Sequence, residues 1–471
     1  MSISSQPRKG LTWSLMLLVA ITCGLKNSAP KPPLKELTLL LSVLATIYFS
    51  GLITQAHSDS LDSAVIKALS SNPQLNSSKL GVLQAQEGVS RAQSAWKPDV
   101  RLNIRGGAKQ STTNTPTSNS STDTFTPLSA TVSLSQHVLD FGETKSAIKK
   151  TEIQKQISEE QLRKATQTVI KESIEAYLAL WRDSHLLTVA ETNEYNLQKQ
   201  FLAAQKRFAL REVTRTDLSQ AQARLQNAVS RTIGAEIAVE NSLAKYRKII
   251  GPLETRSQIS WSREKVARYP TPISLEEART ISYSANSDMK IARLQQELAR
   301  HTIFEQRSTR LPKISVEASV SGSRNPSQSV DTSRNISLEG VLSVPLYDAG
   351  ISRSNLDSAK LQVQISIENE RQIKLELNQK LLSLWNTLIQ VGSQISSLME
   401  SVEANKTALV GVQREVEVGT RTTLNLLDAE NEYIRAESSL VLAIFDEAQT
   451  HFDLLFECGL LDEELFAAHI H

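Results

Sequence analysis

Two spacings of apolar residues divide the chain. From Glu143 to Ala209 apolar residues recur through a polar background at gaps of three to seven positions, at Ile148, Ile153, Ile157, Leu162, Val169, Ile174, Tyr177 and Trp181, with no alternation of period two, which reads as helix. No proline falls between Pro127 and Pro252. The spacing therefore predicts one helix of roughly 100 Å at 1.5 Å per residue, with Thr214 to Ile250 returning antiparallel to it. Elsewhere the period is two. Asp99 to Arg105, Leu128 to Ser135, Ile314 to Val320 and Ile336 to Leu342 alternate apolar and polar residues. Val, Leu, Ile and Ala lie on one face, and Arg, Asn, Ser and Glu on the other. Four strands of roughly ten residues suit a tilted crossing of a membrane, although a soluble sandwich would alternate in the same way. The polar run Gln110 to Thr122 reads as an exposed loop.

The two patterns occur twice. Glu417-Val418-Gly419-Thr420-Arg421-Thr422-Thr423-Leu424-Asn425 separates two long helical stretches, Ile351 to Glu415 and Leu426 to about Cys458. A glycine followed by Thr-Arg-Thr-Thr fits a helix C-cap running straight into a new N-cap, and so the tip of a hairpin. Arg211-Glu212-Val213-Thr214-Arg215-Thr216-Asp217 holds the same place in an earlier hairpin. Ala221 matches Ala429 at an offset of 429 − 221 = 208, and Asp140-Phe141-Gly142 matches Asp348-Ala349-Gly350 at the same offset. Upstream, Leu61 matches Leu275 at 275 − 61 = 214; Asn72 matches Asn286 and Pro98 matches Pro312. The chain is a tandem duplication whose change of length falls between Pro98 and Asp140.

Residues 1–56 read as leader and signal peptide. Lys31 and Lys35 precede an apolar core from Leu37 to Phe49, with cleavage expected after Ala56 and translation expected to start near Leu34. That leaves a first repeat at 57–252, a connection at 253–272, a second repeat at 273–458 and a tail at 459–471. The chain carries 52 basic and 50 acidic residues, a net charge of +2, which argues against a nucleic-acid binder. Aromatic residues make up only 5%, which suits elongated helices with narrow apolar stripes. Of the two cysteines, Cys23 lies in the leader, so Cys458 alone can form neither a disulfide framework nor a cysteine metal site. The seven histidines (His57, His137, His185, His301, His451, His469, His471) lack ligand spacing, and no nucleophile triad, P-loop or dinucleotide fingerprint occurs. No catalytic residue, metal site or cofactor is expected, and no enzyme. Tyr177 and Trp385 occupy matching positions and read as packing residues.

Four membrane strands cannot close a barrel, and open sheet edges are not tolerated in hydrocarbon. Several chains must pool their strands, and a cyclic oligomer is the simplest way. Periodicity does not fix the number of copies. The paired Leu-x-x-Ala…Asn-Pro starts, the Pro98 and Pro312 strand entries, the Asp-x-Gly exits and the tips together resemble the TolC-type outer membrane factors. The likeness covers about 57 to 460, and the stretch from Val418 to Ala429 is especially similar.

The resemblance implies a mainly α fold with a transmembrane β part, built from duplicated strand and long-helix-hairpin repeats. Three copies would form a homotrimer with a twelve-stranded β-barrel in outer membrane lipid, continued by an α-helical barrel in the periplasm. It also implies a periplasmic adaptor (membrane fusion protein) docked on the tips, and through it an inner-membrane ABC or proton-driven transporter. Type I protein secretion is the favoured reading, on the likeness of Arg421 to Glu430 alone. Small-molecule efflux is its rival, and a soluble periplasmic coiled-coil scaffold a third.

Gating and docking then fall to Gly419, Thr420, Arg421, Thr422, Asn425 and Asp428 in one tip, and to Arg211, Thr214, Arg215 and Asp217 in the other. Arg421 stands where related channels hold their tips closed. Asn425 and Asp428 stand where acidic residues ring the aperture. Asn425 is a departure, and the expectation is that Asp217 partly replaces its charge. Arg101, Arg105, Glu317 and Glu339, on polar strand faces, are expected to line the lumen.

Overall fold

A computed structural model of the chain describes residues 60–115, 118–253, 259, 261–327 and 330–467. The leader at 1–56, its start near Leu34, and His57, His469 and His471 lie outside the described residues.

Each repeat opens with two short helices. Ser60 caps α1 (Leu61–Ser71), its hydroxyl accepting from the Ser63 amide. Asn72 ends α1 and caps α2 (Pro73–Gln93), accepting from Gln74 N at 2.8 Å, with Pro73 in the first turn where its missing amide costs nothing. In the second repeat Ser274 and Asn286 do the same for α5 (Leu275–Ala285) and α6 (Ser287–Ser308).

The strands β1 (Asp99–Gly106), β4 (Leu128–Leu139), β5 (Lys313–Ser327) and β6 (Val330–Ser343) form one antiparallel sheet in the order β1-β4-β5-β6. Their register aligns one face throughout. Leu102 opposes Val132, Val132 opposes Val320, and Val320 opposes Ile336. This face is open in the single chain: Ile104 is 66% exposed, Leu338 76% and Ile336 83%. The edges β1 and β6 have no partner on their outer sides among the described residues.

Two expectations need correction. β5 and β6 span 15 and 14 residues, longer than the alternating pattern indicated. The run expected as a loop is a second hairpin, β2 (Lys109–Thr115) paired with β3 (Ser118–Phe125). Its threonines suit a pleated strand, and the Thr112 and Thr122 hydroxyls meet across it at 3.0 Å.

Both sheet exits use one device. Asp140 accepts from Gly142 N and Thr144 N at 3.1 and 2.7 Å, and Asp348 accepts from Gly350 N and Ser352 N at 3.1 and 2.9 Å. Gly142 and Gly350 adopt φ of 99° and 84°, which glycine tolerates without cost. The long helices α3 (Glu143–Ala209) and α7 (Ile351–Glu417) follow, each of 67 residues. Their partners α4 (Arg215–Ile249) and α8 (Thr423–Glu457) each have 35. No described helix is long and apolar enough to cross a membrane. The β-sheet is the part suited to lipid.

The main core surrounds the middle of α3, where Tyr177, Leu178 and Leu180 meet α1, the end of α4 and the end of α8. The connection at 253–272 is part of it through Trp261 and Tyr269, as is the tail at 459–471 through Leu461 and Phe466 on α9 (Glu464–Ala467). The Tyr269 hydroxyl donates to Asp62 at 2.6 Å, and its carbonyl meets His451 Nε2 at 2.7 Å. Trp385 packs on a smaller cluster around Leu377 and Leu381, so Tyr177 and Trp385 both serve packing.

Candidate functional site at the hairpin tips

The second tip turns at Gly419, whose φ is 82°. Thr420 donates both its amide and its hydroxyl to Glu415 O at 2.9 Å, closing the end of α7. Thr422 and Asn425 then form a capping box for α8. The Thr422 amide and hydroxyl donate to Asn425 Oδ1 at 3.3 and 2.6 Å, and Asn425 N donates back at 3.4 Å. The first tip is built alike with different residues. Arg211 takes the left-handed position at φ 64°. Thr214 donates its amide and hydroxyl to Asp217 Oδ2 at 3.0 and 2.8 Å, and Asp217 N returns to the Thr214 hydroxyl at 3.2 Å. Those bonds, the one from the Thr214 backbone first, hold the Asp217 carboxyl below its ordinary range. Asp217 and Asn425 thus do the same local work. Arg215 opens α4, exposed to solvent.

Between the tips lies a groove of about 440 Å³, lined by Arg207, Val213 and Asp217 from the first hairpin and Arg421, Thr422 and Leu427 from the second. Arg421 does not tie the hairpins to each other within the chain: its Nε reaches Glu415 of its own hairpin at 2.7 Å. The ties involve Asp428, which the sequence singled out, and residues that it did not, Arg224, Gln200 and Glu430 among them. Arg224 Nη2 on α4 meets Asp428 Oδ1 on α8 at 2.8 Å. Gln200 on α3 donates to Glu430 at 2.6 Å, and Asn196 also bonds that carboxyl. Glu430 is only 4% exposed. Burial raises its pKa above the ordinary glutamate value, and the two amide bonds draw it partly back. Glu430 carried a signal, since it lies between Leu427 and Ile434 at helical spacing, on the apolar stripe.

The four expected lumen residues share the sheet face opposite the apolar one. Glu317 stands directly across from Glu339, and Arg101 across from Ser133 with Asp99 on its own strand at 2.6 Å. Among the described residues no group of three histidine, cysteine or acidic side chains could hold a metal ion.

A sheet with one lipid-compatible face, open edges and two long hairpins defines an outer membrane channel subunit. The family model described as outer membrane efflux protein matches residues 64–252 and 282–451, and the chain belongs to that family. It is 27% identical over 422 residues to the outer membrane efflux protein BepC of Brucella suis biovar 1, covering 88% of this chain and 90% of that protein. It is 26% identical over 347 residues to the alkaline protease secretion protein AprF of Pseudomonas aeruginosa, covering 72% of each. Against the outer membrane protein TolC of Escherichia coli K12 the figure is 23% over 443 residues, covering 90% of this chain and 87% of TolC. The fold matches the Campylobacter jejuni CmeC outer membrane channel with a TM-score of 0.72 at 15% identity, over 85% of both chains. The match to Vibrio cholerae VceC has a TM-score of 0.69 at 16% identity, over 85% of this chain and 96% of that one. The protein is a TolC-type exit channel of the outer membrane, and its relatives are channels rather than enzymes.

Proposed function

We propose that three copies assemble into the exit duct of a tripartite export machine whose cargo is protein, driven by an inner-membrane ABC transporter through a periplasmic adaptor. One observation carries the assembly: among the described residues nothing seals a four-stranded sheet whose apolar face and both edges are open. Three such sheets give twelve strands, an even number within the range of closed bacterial barrels. β6 runs antiparallel to the β1 of a neighbouring copy, as closure demands. Arg101, Arg105, Glu317 and Glu339 then face the lumen, and the tips offer their groove to the adaptor.

Protein cargo is supported by the tip stretch from Arg421 to Glu430 and by the likeness to AprF, which is named for alkaline protease secretion. Efflux of small molecules is the second reading, favoured by the likeness to BepC, which is named an efflux protein. Deleting the gene and comparing secreted proteins with sensitivity to dyes and bile salts separates the two. A lost secreted protein with unchanged sensitivity supports secretion; raised sensitivity with an intact secretome overturns it. At the aperture, Asn425 is neutral and Asp428 is paired with Arg224, so Asp217 should carry much of the cation selectivity in planar bilayers, and Asp217→Asn should weaken it. Arg224→Ala should increase it.

A further inference from the structure

Where the sheet meets the helices, a groove of about 700 Å³ runs between α3 and α6. Trp96, Phe141 and Phe304 line it with their rings partly exposed. Lys145, Lys149 and Arg307 stand around them. Lys149 has only a 3.5 Å contact to Glu152. The side chains of Lys145 and Arg307 have no ion-pair or hydrogen-bond partner among the described residues.

The apolar row of the sheet ends just above. Leu139 opposes Ile314, which opposes Leu342, and Trp96 and Phe141 lie beyond the ends of β1 and β4. Aromatic rings and basic side chains at the margin of an apolar band are the composition of a membrane–water interface. The helix end itself is not the attraction, because Asp140 already takes the Gly142 and Thr144 amides.

The duplication supplies an internal control. In the matching positions of the other copy, Ala349, Arg353 and Asp357 replace Phe141, Lys145 and Lys149. Glu87, Ser90 and Gln93 replace His301, Phe304 and Arg307. The rings of Phe141 and Phe304 and the charges of Lys149 and Arg307 therefore belong to one seam, while the Lys145 position is basic in both copies.

We propose that this groove binds the headgroup of an anionic glycerophospholipid from the periplasmic leaflet of the outer membrane, one per subunit. The lipid phosphate accepts hydrogen bonds from Lys145 and Arg307, the rings pack against the glycerol region, and the acyl chains run up the apolar face of β4 and β5. A zwitterionic lipid brings an ammonium into the same basic cluster and binds less well.

The test is native mass spectrometry of the purified oligomer titrated with phosphatidylglycerol or phosphatidylethanolamine. Phosphatidylglycerol should be retained over phosphatidylethanolamine by on the order of tenfold. Lys145→Glu with Arg307→Glu should abolish the preference, and Arg353→Glu should leave it intact. In bilayers, phosphatidylglycerol brominated in its acyl chains should quench Trp96 emission. If charge reversal prevents assembly, Lys145→Gln with Arg307→Gln should weaken the same preference. The proposal is overturned if retention is unchanged in these variants, equally lost in Arg353→Glu, or abolished by inorganic phosphate. An unquenched Trp96 overturns it as well.

Discussion

The two hairpin tips solve one problem with different residues. Each must end a 67-residue helix, reverse within a few residues and start a 35-residue one. The second tip turns on Gly419, which adopts φ 82° freely, and closes its capping box with a neutral amide, Asn425. The first turns on Arg211 at φ 64° and closes its box with a carboxylate, Asp217. The backbone pattern is shared, while the strain and the charge are not. The first tip stores conformational cost and closes its cap on a charge; the second turns without that cost and closes its cap on a neutral group.

The largest test of that contrast exchanges the turn residues. A side chain in the left-handed region costs about 1–2 kcal/mol. Nothing lies within 4 Å of where a Cβ at Gly419 would sit, so the cost there is conformational alone. Gly419→Arg should speed amide exchange in the second tip by on the order of tenfold, and Arg211→Gly should slow it in the first by a similar factor. Equal effects of both signs at both tips would break the comparison.

Next come the caps. Thr214→Ala and Thr422→Ala each remove a capping hydroxyl and should cost about 1 kcal/mol in local opening, alike at both tips. Unequal losses would show that the two boxes are not equivalent. The seam behind them responds to pH through Glu430. Its pKa in the folded protein lies above the unfolded value. Its contribution is therefore complete below the unfolded value and falls as pH rises through the folded one. Glu430→Gln should slow exchange of the seam amides several-fold at pH 7, on the order of 1 kcal/mol, and flatten their pH dependence.

The smallest effect is that of Asp217. Its pKa is lowered in the folded protein, so its stabilisation is present above the ordinary carboxylate value and lost as pH falls through the depressed one. Exchange at the first tip should rise in acid, and Asp217→Asn should reduce that rise.

Much of this frame is legible in the sequence, and the reasons are local. Glu143–Ala209 is read to the residue because a left-handed glycine starts it and no proline interrupts it. Asn72 and Pro73 mark a helix boundary through chemistry that needs no tertiary context. β2 and β3 are not legible, since a run of threonine and serine with no apolar face has the composition of a loop. The links between the hairpins are hidden for another reason. Whether Arg224 meets Asp428 depends on how two helices rotate about each other, and no motif in either helix encodes it. Arg421 shows the converse: likeness points to the residue, but the fold of the turn decides that its partner is Glu415.

The central claim is that sheets from three chains seal one barrel. Light scattering coupled to size exclusion, on protein extracted from outer membranes in detergent, measures it most directly. The account predicts a detergent-bound particle containing three polypeptides. A monomer that stays in solution without detergent would contradict it.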